Sequence, residues 1–189
     1  MNVADDILIL LAAGSARRMQ AVVDDKITAL LAGKPVFVHS LQSFLSTGLI
    51  GRVAITYRDE AQLAKLKAQL AGHVPAATAV EFVPGGESRQ DSVLAALNAC
   101  EGHAGLVHIH DGARPLVSPE AIRKVREKAK ETGAAILAGR AADTVKIAKA
   151  DSTSVETSPD RGLVWTAETP QDITDFQVKL DAALRQAGY

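Results

Sequence analysis

The run ILILLAAGSARRM, Ile7 to Met19, leaves an apolar segment through Ala12, Ala13 and Gly14 and then delivers Arg17 and Arg18, with Lys26 a few residues further on. Gly14, Ser15 and Ala16 are small, so a backbone emerging from a strand there can approach a ligand and aim N–H groups at phosphate oxygens. The two arginines and Lys26 supply mobile positive charge. No Gly-Lys-Ser/Thr closes the stretch, and the second and third glycines of a dinucleotide fingerprint are missing, which counts against kinase and dehydrogenase readings. The plain alternative is a turn with solvated arginines.

A second turn, PGGESRQDSV (84–93), places Gly85 and Gly86 ahead of a helical pattern, and Ser88, Asp91 or Ser92 can cap that helix. A helix N-terminus is a natural site for an anion or polar ligand, and a simple Gly-Gly turn with a cap is the bland reading. A third turn, HIHDGARP (108–115), sets Asp111 beside Gly112 and Arg114. A carboxylate there can hold a metal or a sugar hydroxyl, and an arginine can grip phosphate; a structural Asp111–Arg114 ion pair is equally consistent with the spacing. His108 and His110 alternate and so face one way, but a metal would need further ligands, and they read as core or edge histidines, as do His39 and His73.

No Ser/His/Asp or Cys/His set has a recognisable spacing. A nucleophile that is already ionised needs no catalytic base, and a phosphate monoester, with a second pKa of about 6, is one. Glycines, arginines, a lysine and one aspartate on three turns suit phosphoryl or nucleotidyl transfer, where positioning and charge neutralisation do most of the work.

The elements that must carry these turns alternate. Strand candidates are 6–13, 52–57, 78–83, 105–110 and 134–139, several apolar throughout, as strands covered on both faces are. Helical spacing marks 35–47, 60–71, 89–100 and 119–131. The alternation predicts an α/β fold around a largely parallel twisted sheet flanked by helices, with ligands gathering beyond the carboxyl ends of its strands. Residues 140–168 break the rhythm: TVKIA and LVWTA flank a serine-rich middle, predicting two strands and a long turn projecting from the body. The tail from Asp172 to Tyr189 reads as a final helix.

At 189 residues, 47% hydrophobic and 23% charged, the chain fits a single domain, 1–189, with an arm at about 140–168. The 21 basic and 22 acidic residues leave a formal charge of −1, which argues against wrapping nucleic acid, so an anionic ligand must be held by local charge. Cys100 is the only cysteine, excluding an intrachain disulfide and a multi-cysteine metal cage. The first apolar run follows two aspartates and is too short for a membrane span, so the expectation is a cytoplasmic protein with no membrane contact.

LAAGSARRM, a following lysine, PGGESRQDSV, HDGARP, DTVK and TSPDRGLVWTAETPQ, in this order, resemble the 2-C-methyl-D-erythritol 4-phosphate cytidylyltransferases of the non-mevalonate isoprenoid pathway. The resemblance runs from about Ile7 to the last helix; the glycine-rich opening alone is generic, and HDGARP with TPQ is specific. It implies a Rossmann-like nucleotidyltransferase fold whose β-arm clasps a second subunit in a homodimer. The implied reaction joins CTP to methylerythritol phosphate with Mg²⁺, giving CDP-methylerythritol and pyrophosphate. By position, Ala12, Ala13 and Gly14 would hold the nucleotide through backbone contacts, and Arg18 and Lys26 would be the catalytic cations. Gly86, Glu87 and Ser92 would line the cytosine and ribose side, and Asp111 and Gly112 would lie near the ribose and phosphates, with Asp111 at the metal. Arg114, Thr144, Arg161 and Thr169 would serve the acceptor, with Thr144 and Arg161 reaching across from the partner subunit.

Departures from the family pattern are local. Ala16 stands in place of a second glycine, Asp25 and Ile27 replace the proline and glutamine that commonly flank the lysine, and Glu87 replaces an aspartate. Asp24 and Asp25 are candidates to draw Lys26 away from a phosphate. Family members continue past the final helix to an acceptor-site lysine, so the resemblance implies that a segment is missing after Tyr189. Two alternatives are a cytidylyltransferase for another polyol phosphate, such as ribitol 5-phosphate, and an inactive CTP-binding module.

Overall fold

The computed structural model describes residues 5–14, 25–102, 105–150 and 153–173, with the backbone alone for 169–173. Strand β1 (Asp6–Leu11) is followed by a two-residue hairpin, β2 (Leu30–Leu31) with β3 (Lys34–Pro35), and by helix α1 (Val36–Leu45). Then come β4 (Ile50–Tyr57), α2 (Glu60–Leu70), β5 (Ala79–Pro84), α3 (Arg89–Ala99), β6 (Val107–Asp111), α4 (Pro119–Thr132) and β7 (Ala134–Arg140). The short strands β8 (Ile147–Ala148) and β9 (Val155–Thr157), a 3₁₀ turn (Arg161–Leu163) and β10 (Trp165–Ile173) complete the described chain.

Six strands form one sheet in the order β5-β4-β1-β6-β10-β7. The first four are mutually parallel, and β10 runs antiparallel to both neighbours. Alternate residues of β1 divide the core. Leu8 and Leu10 pack with Phe37, Leu41 and Phe44 of α1, Leu66 of α2 and Ile122 of α4. Ile7 and Ile9 pack on the opposite face with Val93, Ala96 and Leu97 of α3. Both faces of the central strands are therefore covered, the reason their sequences are apolar throughout. From β1 the chain moves outward to β4 and β5 and then returns to β6 on the other side, so the strand order reverses at β1 and opens a crevice at its carboxyl end.

Helix starts follow their caps. Asp59 accepts from the Gln62 amide, Ser118 from the Ala121 amide with Pro119 in the first turn, and Ser88 and Asp91 form a reciprocal capping box. No helix among the described residues is long and apolar enough to cross a membrane.

Three boundaries differ from the sequence reading. Strand β1 ends at Leu11 because the next two amides turn to a side chain of β4. The expected pairing of TVKIA with LVWTA is replaced by a local hairpin, Ile147–Ala148 with Val155–Thr157, while Trp165 onward joins the main sheet against β7. Asp172 and Ile173, read as the start of the tail helix, are strand residues opposite His108 and Val107; the rest of that segment lies outside the described residues.

Candidate active site

The buried hydroxyl of Thr56 on β4 accepts from the amides of Ala12 at 2.9 Å and Ala13 at 3.3 Å. These amides, expected to face a nucleotide, are committed to the protein's own loop. Among the described residues the exposed part of this loop is Gly14, where a Cβ would meet nothing within 4 Å.

The Gly85-Gly86 turn abuts this loop. The Gly85 amide donates to the Tyr57 carbonyl at 2.8 Å, and a Cβ on Gly85 would fall 2.4 Å from that of Ala13. A Cβ on Gly86 would fall 2.2 Å from that of Asp91, so the turn cannot carry side chains without moving. The Ser92 hydroxyl accepts from the Gly86 amide and donates to the Ser88 carbonyl, both at 3.0 Å, tying the turn to the first turn of α3. Ser92 is buried and Glu87 exposed. Hydrogen bonds from the Ser88 hydroxyl and amide hold the Asp91 carboxyl below the usual carboxylate range.

Asp111 ends β6 opposite Leu11, and the Gly112 amide donates to the Leu11 carbonyl at 2.9 Å, so the aspartate stands beside the β1 loop. Its Oδ1 accepts from Arg89 at 3.1 and 3.2 Å and its Oδ2 from Arg114 Nε at 3.3 Å. Sequence reasoning anticipates the Asp111–Arg114 pair and misses Arg89, whose one available signal is its place as the first residue of α3, directly after the capping serine. Two guanidiniums thus meet the Asp111 carboxylate, with Glu87 and Asp91 on the adjoining turn.

Two buried side chains shape this turn from beneath. Ser40 Oγ donates to the Gly112 carbonyl at 2.9 Å, and His110 Nε2 donates to the Arg114 carbonyl at 3.0 Å. Burial outweighs that hydrogen bond and pushes the His110 imidazole down to about 4, so it is neutral near pH 7. His108, fully buried, contacts Asp6 at 3.1 Å at the opposite edge of the sheet, and both rings pack on Phe44. The reading of both as core histidines holds.

Lys26 sits between two buried anchors. Ile27 joins the α1-side core, and the Asp25 carboxylate accepts from the Ile27 amide at 2.9 Å and from Gln62 Nε2 at 2.6 Å. Asp25 is thus held by α2 and by its own turn, and not by Lys26. Arg17, Arg18, Asp24 and Ala16 lie outside the described residues, as does the side chain of Thr169. Thr144 and Arg161 are exposed on the segment after β7, where Arg161 donates to the Ala142 carbonyl at 3.1 Å. The loops bearing Gly14, Gly86 and Asp111 converge, and Thr144 and Arg161 lie apart from them on the segment after β7.

Among the described residues no cluster of three or more histidine, cysteine, aspartate or glutamate side chains could cage a metal. Asp111 offers carboxylate oxygens of the type Mg²⁺ takes together with phosphate oxygens and water, a mode needing only one or two carboxylates, and those oxygens here accept from Arg89 and Arg114.

The geometry agrees with what the chain resembles. The family model described as 2-C-methyl-D-erythritol 4-phosphate cytidylyltransferase matches residues 7–188. Among curated proteins with that name, the Symbiobacterium thermophilum protein is 37% identical over 87% of this chain and 66% of its own length. The Shouchella clausii protein is 38% identical over 94% of this chain and 74% of its own. This chain thus spans about two thirds to three quarters of these relatives. The crystal structure of 4-diphosphocytidyl-2C-methyl-D-erythritol synthase from Anaerococcus prevotii superposes with a TM-score of 0.78 at 25% identity, covering 98% of this chain and 77% of that one. With a model match across nearly its whole length, the chain belongs to the 2-C-methyl-D-erythritol 4-phosphate cytidylyltransferase family.

Proposed function

We propose that the protein transfers CMP from CTP to 2-C-methyl-D-erythritol 4-phosphate, releasing pyrophosphate. The observation that carries this reading is the convergence of three family loops, where Arg89 and Arg114 flank Asp111 beside Gly14 and the Gly85-Gly86 turn. In the step, an oxygen of the acceptor phosphate attacks the α-phosphorus of CTP, and the bond from that phosphorus to the bridging oxygen breaks. The electron pair leaves with pyrophosphate. The attacking oxygen is already anionic, so no proton shuttle is required. That suits a rim on which His110 is buried, neutral and turned to a backbone carbonyl.

Gly14 and the Gly86, Glu87 and Ser92 turn hold the cytidine side, with Ala12 and Ala13 shaping the loop through Thr56. Lys26, and Arg18 outside the described residues, neutralise charge building on the transferred phosphorus and the departing pyrophosphate. Asp111 and Gly112 stand by the ribose and phosphates; Asp111 would offer a carboxylate oxygen to Mg²⁺, which would supply neutralisation of triphosphate charge. Arg114, Thr144, Arg161 and Thr169 serve the acceptor. Ile147, Val155, Leu163 and Trp165 leave apolar surface exposed around the β8–β9 hairpin, which supports a homodimer clasped through this arm on a single domain. The reaction belongs in the cytoplasm; the only cysteine, Cys100, is a buried thiol, consistent with that setting.

The test offers purified protein CTP and Mg²⁺ with methylerythritol phosphate or ribitol 5-phosphate and follows pyrophosphate. Release is expected with the first. Preference for ribitol phosphate overturns the acceptor, and CTP binding without turnover overturns the activity. Lys26→Ala should lower kcat by about a hundredfold or more, roughly 3 kcal/mol of transition-state stabilisation; unchanged kcat removes Lys26 from the chemistry.

A further inference from the structure

Gln62 is a polar residue in the first turn of α2, yet it is only 2% exposed. Its amide nitrogen donates to two acceptors from different parts of the chain, the Ala12 carbonyl at 3.1 Å and Asp25 Oδ2 at 2.6 Å. Its amide oxygen accepts from the Arg58 amide at 2.7 Å, which fixes which way the group points. Arg58 reinforces the link, donating from Nη1 to the Gly14 carbonyl at 3.3 Å and placing Nη2 3.9 Å from Asp25 Oδ2. Two turns along α2, Gln69 donates to the Thr28 carbonyl at 3.1 Å. The helix thus holds both the end of the nucleotide loop and the turn that carries Lys26.

The turn is rigid at its base. Asp25 Oδ1 accepts from the Ile27 amide, the Asp25 carbonyl accepts from the Ala29 amide at 3.0 Å, and Ile27 is buried in the core. Asp25 stands where the resembled family commonly carries proline. A buried carboxylate is tolerated only where its oxygens are satisfied, and Gln62 supplies the donor that the turn itself does not.

We infer that Gln62 is a positioning residue: through the Asp25 carboxylate and the Ala12 carbonyl it sets the Lys26 turn against the nucleotide loop. This rests on the proposed role of Lys26 at the phosphates, and the test has an arm independent of that role. Gln62→Leu removes the donor. Gln62→Glu sets a carboxylate against Asp25, and Asp25→Asn sets an amide nitrogen against the Gln62 amide. Asp25→Asn combined with Gln62→Glu restores the link to the Lys26 turn alone, with reversed polarity: the substituted amide on that turn donates to one oxygen of the substituted carboxylate on α2, the other oxygen of that carboxylate accepts from the Arg58 amide, and the Ala12 carbonyl is left without its donor.

The first arm is hydrogen exchange at the Ile27 and Ala29 amides, which should speed up in the three single variants and return toward native protection in the double variant. Unaltered exchange in all three overturns the inference. The second arm is steady-state turnover. A displacement of about 1 Å of a catalytic group can cost about a hundredfold, so each single variant should lose up to that in kcat with a smaller change in the KM for CTP, and the double variant, which repairs the Lys26-turn link but not the Ala12 link, should recover part of it. A double variant no better than the worse single, or Gln62→Leu at native kcat with loosened exchange, overturns the positioning role. A native protein without turnover is a failure of the functional reading, and the exchange arm then decides this inference alone.

Discussion

His110 serves the candidate site by declining to titrate. Its Nε2 must carry the proton, because the partner is the Arg114 carbonyl, and its buried Nδ1 has no hydrogen-bond partner among the described residues. With the imidazole held to about 4 in the fold against about 6.5 in the unfolded chain, the unfolded state binds the extra proton between those values. Stability therefore rises with pH across that window and is lost as pH falls toward 4, an effect of about 3 kcal/mol. Asparagine can keep a donor toward the carbonyl without the titration. Urea midpoints at pH 4.5 and pH 7 should therefore differ less for His110→Asn than for the native protein; equal differences would show that this imidazole does not drive the acid loss. Asp25 and Ile27 make the same point about neighbours: both depart from the resembled pattern, both are buried, and together they present Lys26 from a fixed base.

The turn before α3 shows which glycines the elements demand. At Gly86 a new Cβ would meet the Cβ of Asp91, the residue that closes the capping box, so Gly86→Ala must displace either the turn or the helix start. Overpacking of this kind costs about 1–3 kcal/mol. At Gly14 the Cβ would meet none of the described residues within 4 Å, and Gly14→Ala should leave stability within about 0.5 kcal/mol. Thermal melts of the two variants check the contrast, which fails if Gly86→Ala melts with the native protein. The three loops are legible because glycine, capping serine and the ends of apolar runs are local signals. What the sequence conceals is long-range. Thr56 meets Ala12 across 44 positions and Gln62 meets Ala12 across 50, and no spacing rule couples a threonine inside a strand or a glutamine on a helix to a loop so distant. Arg89 escapes notice because a basic residue at a helix start reads as solvated until the strand carrying Asp111 is set beside it. The arm divides differently from its pattern for a related reason: Trp165 to Ile173 alternates like a hairpin strand, and only the open edges of β6 and β7 decide that it belongs to the main sheet.

Across the described residues, the candidate site and the contacts of Asp6 occupy opposite edges of one sheet. The carboxyl edge, where the strand order reverses, carries the glycine turns and the Asp111 carboxylate held between Arg89 and Arg114. The amino edge is stitched by Asp6, which is 2% exposed, accepts from Arg126 of α4 and from the Leu106 amide, and contacts His108 of β6. Burial alone would raise its carboxyl, but the hydrogen bonds and charges of His108 and Arg126 outweigh burial and hold it at about 2, below its ordinary 3.8. A depressed carboxylate stabilises the fold fully above the unfolded value and loses that contribution as pH falls through 2, here about 2 kcal/mol. Asp6→Asn removes one of two carboxylates paired with Arg126, Glu127 remaining at 3.0 Å, so the loss is of the order of the roughly 2 kcal/mol that the depressed carboxylate contributes. The variant should therefore be less stable by that order at pH 7 in urea titrations, with the gap to the native protein narrowing toward pH 2, where native Asp6 is itself being protonated. Its affinity for CTP per folded molecule should match that of the native protein, because the substituted carboxylate lies at the far end of the strands. A stability gap unchanged from pH 7 to pH 2, or a CTP affinity that falls with it, would mean that the two edges are not separable in this way.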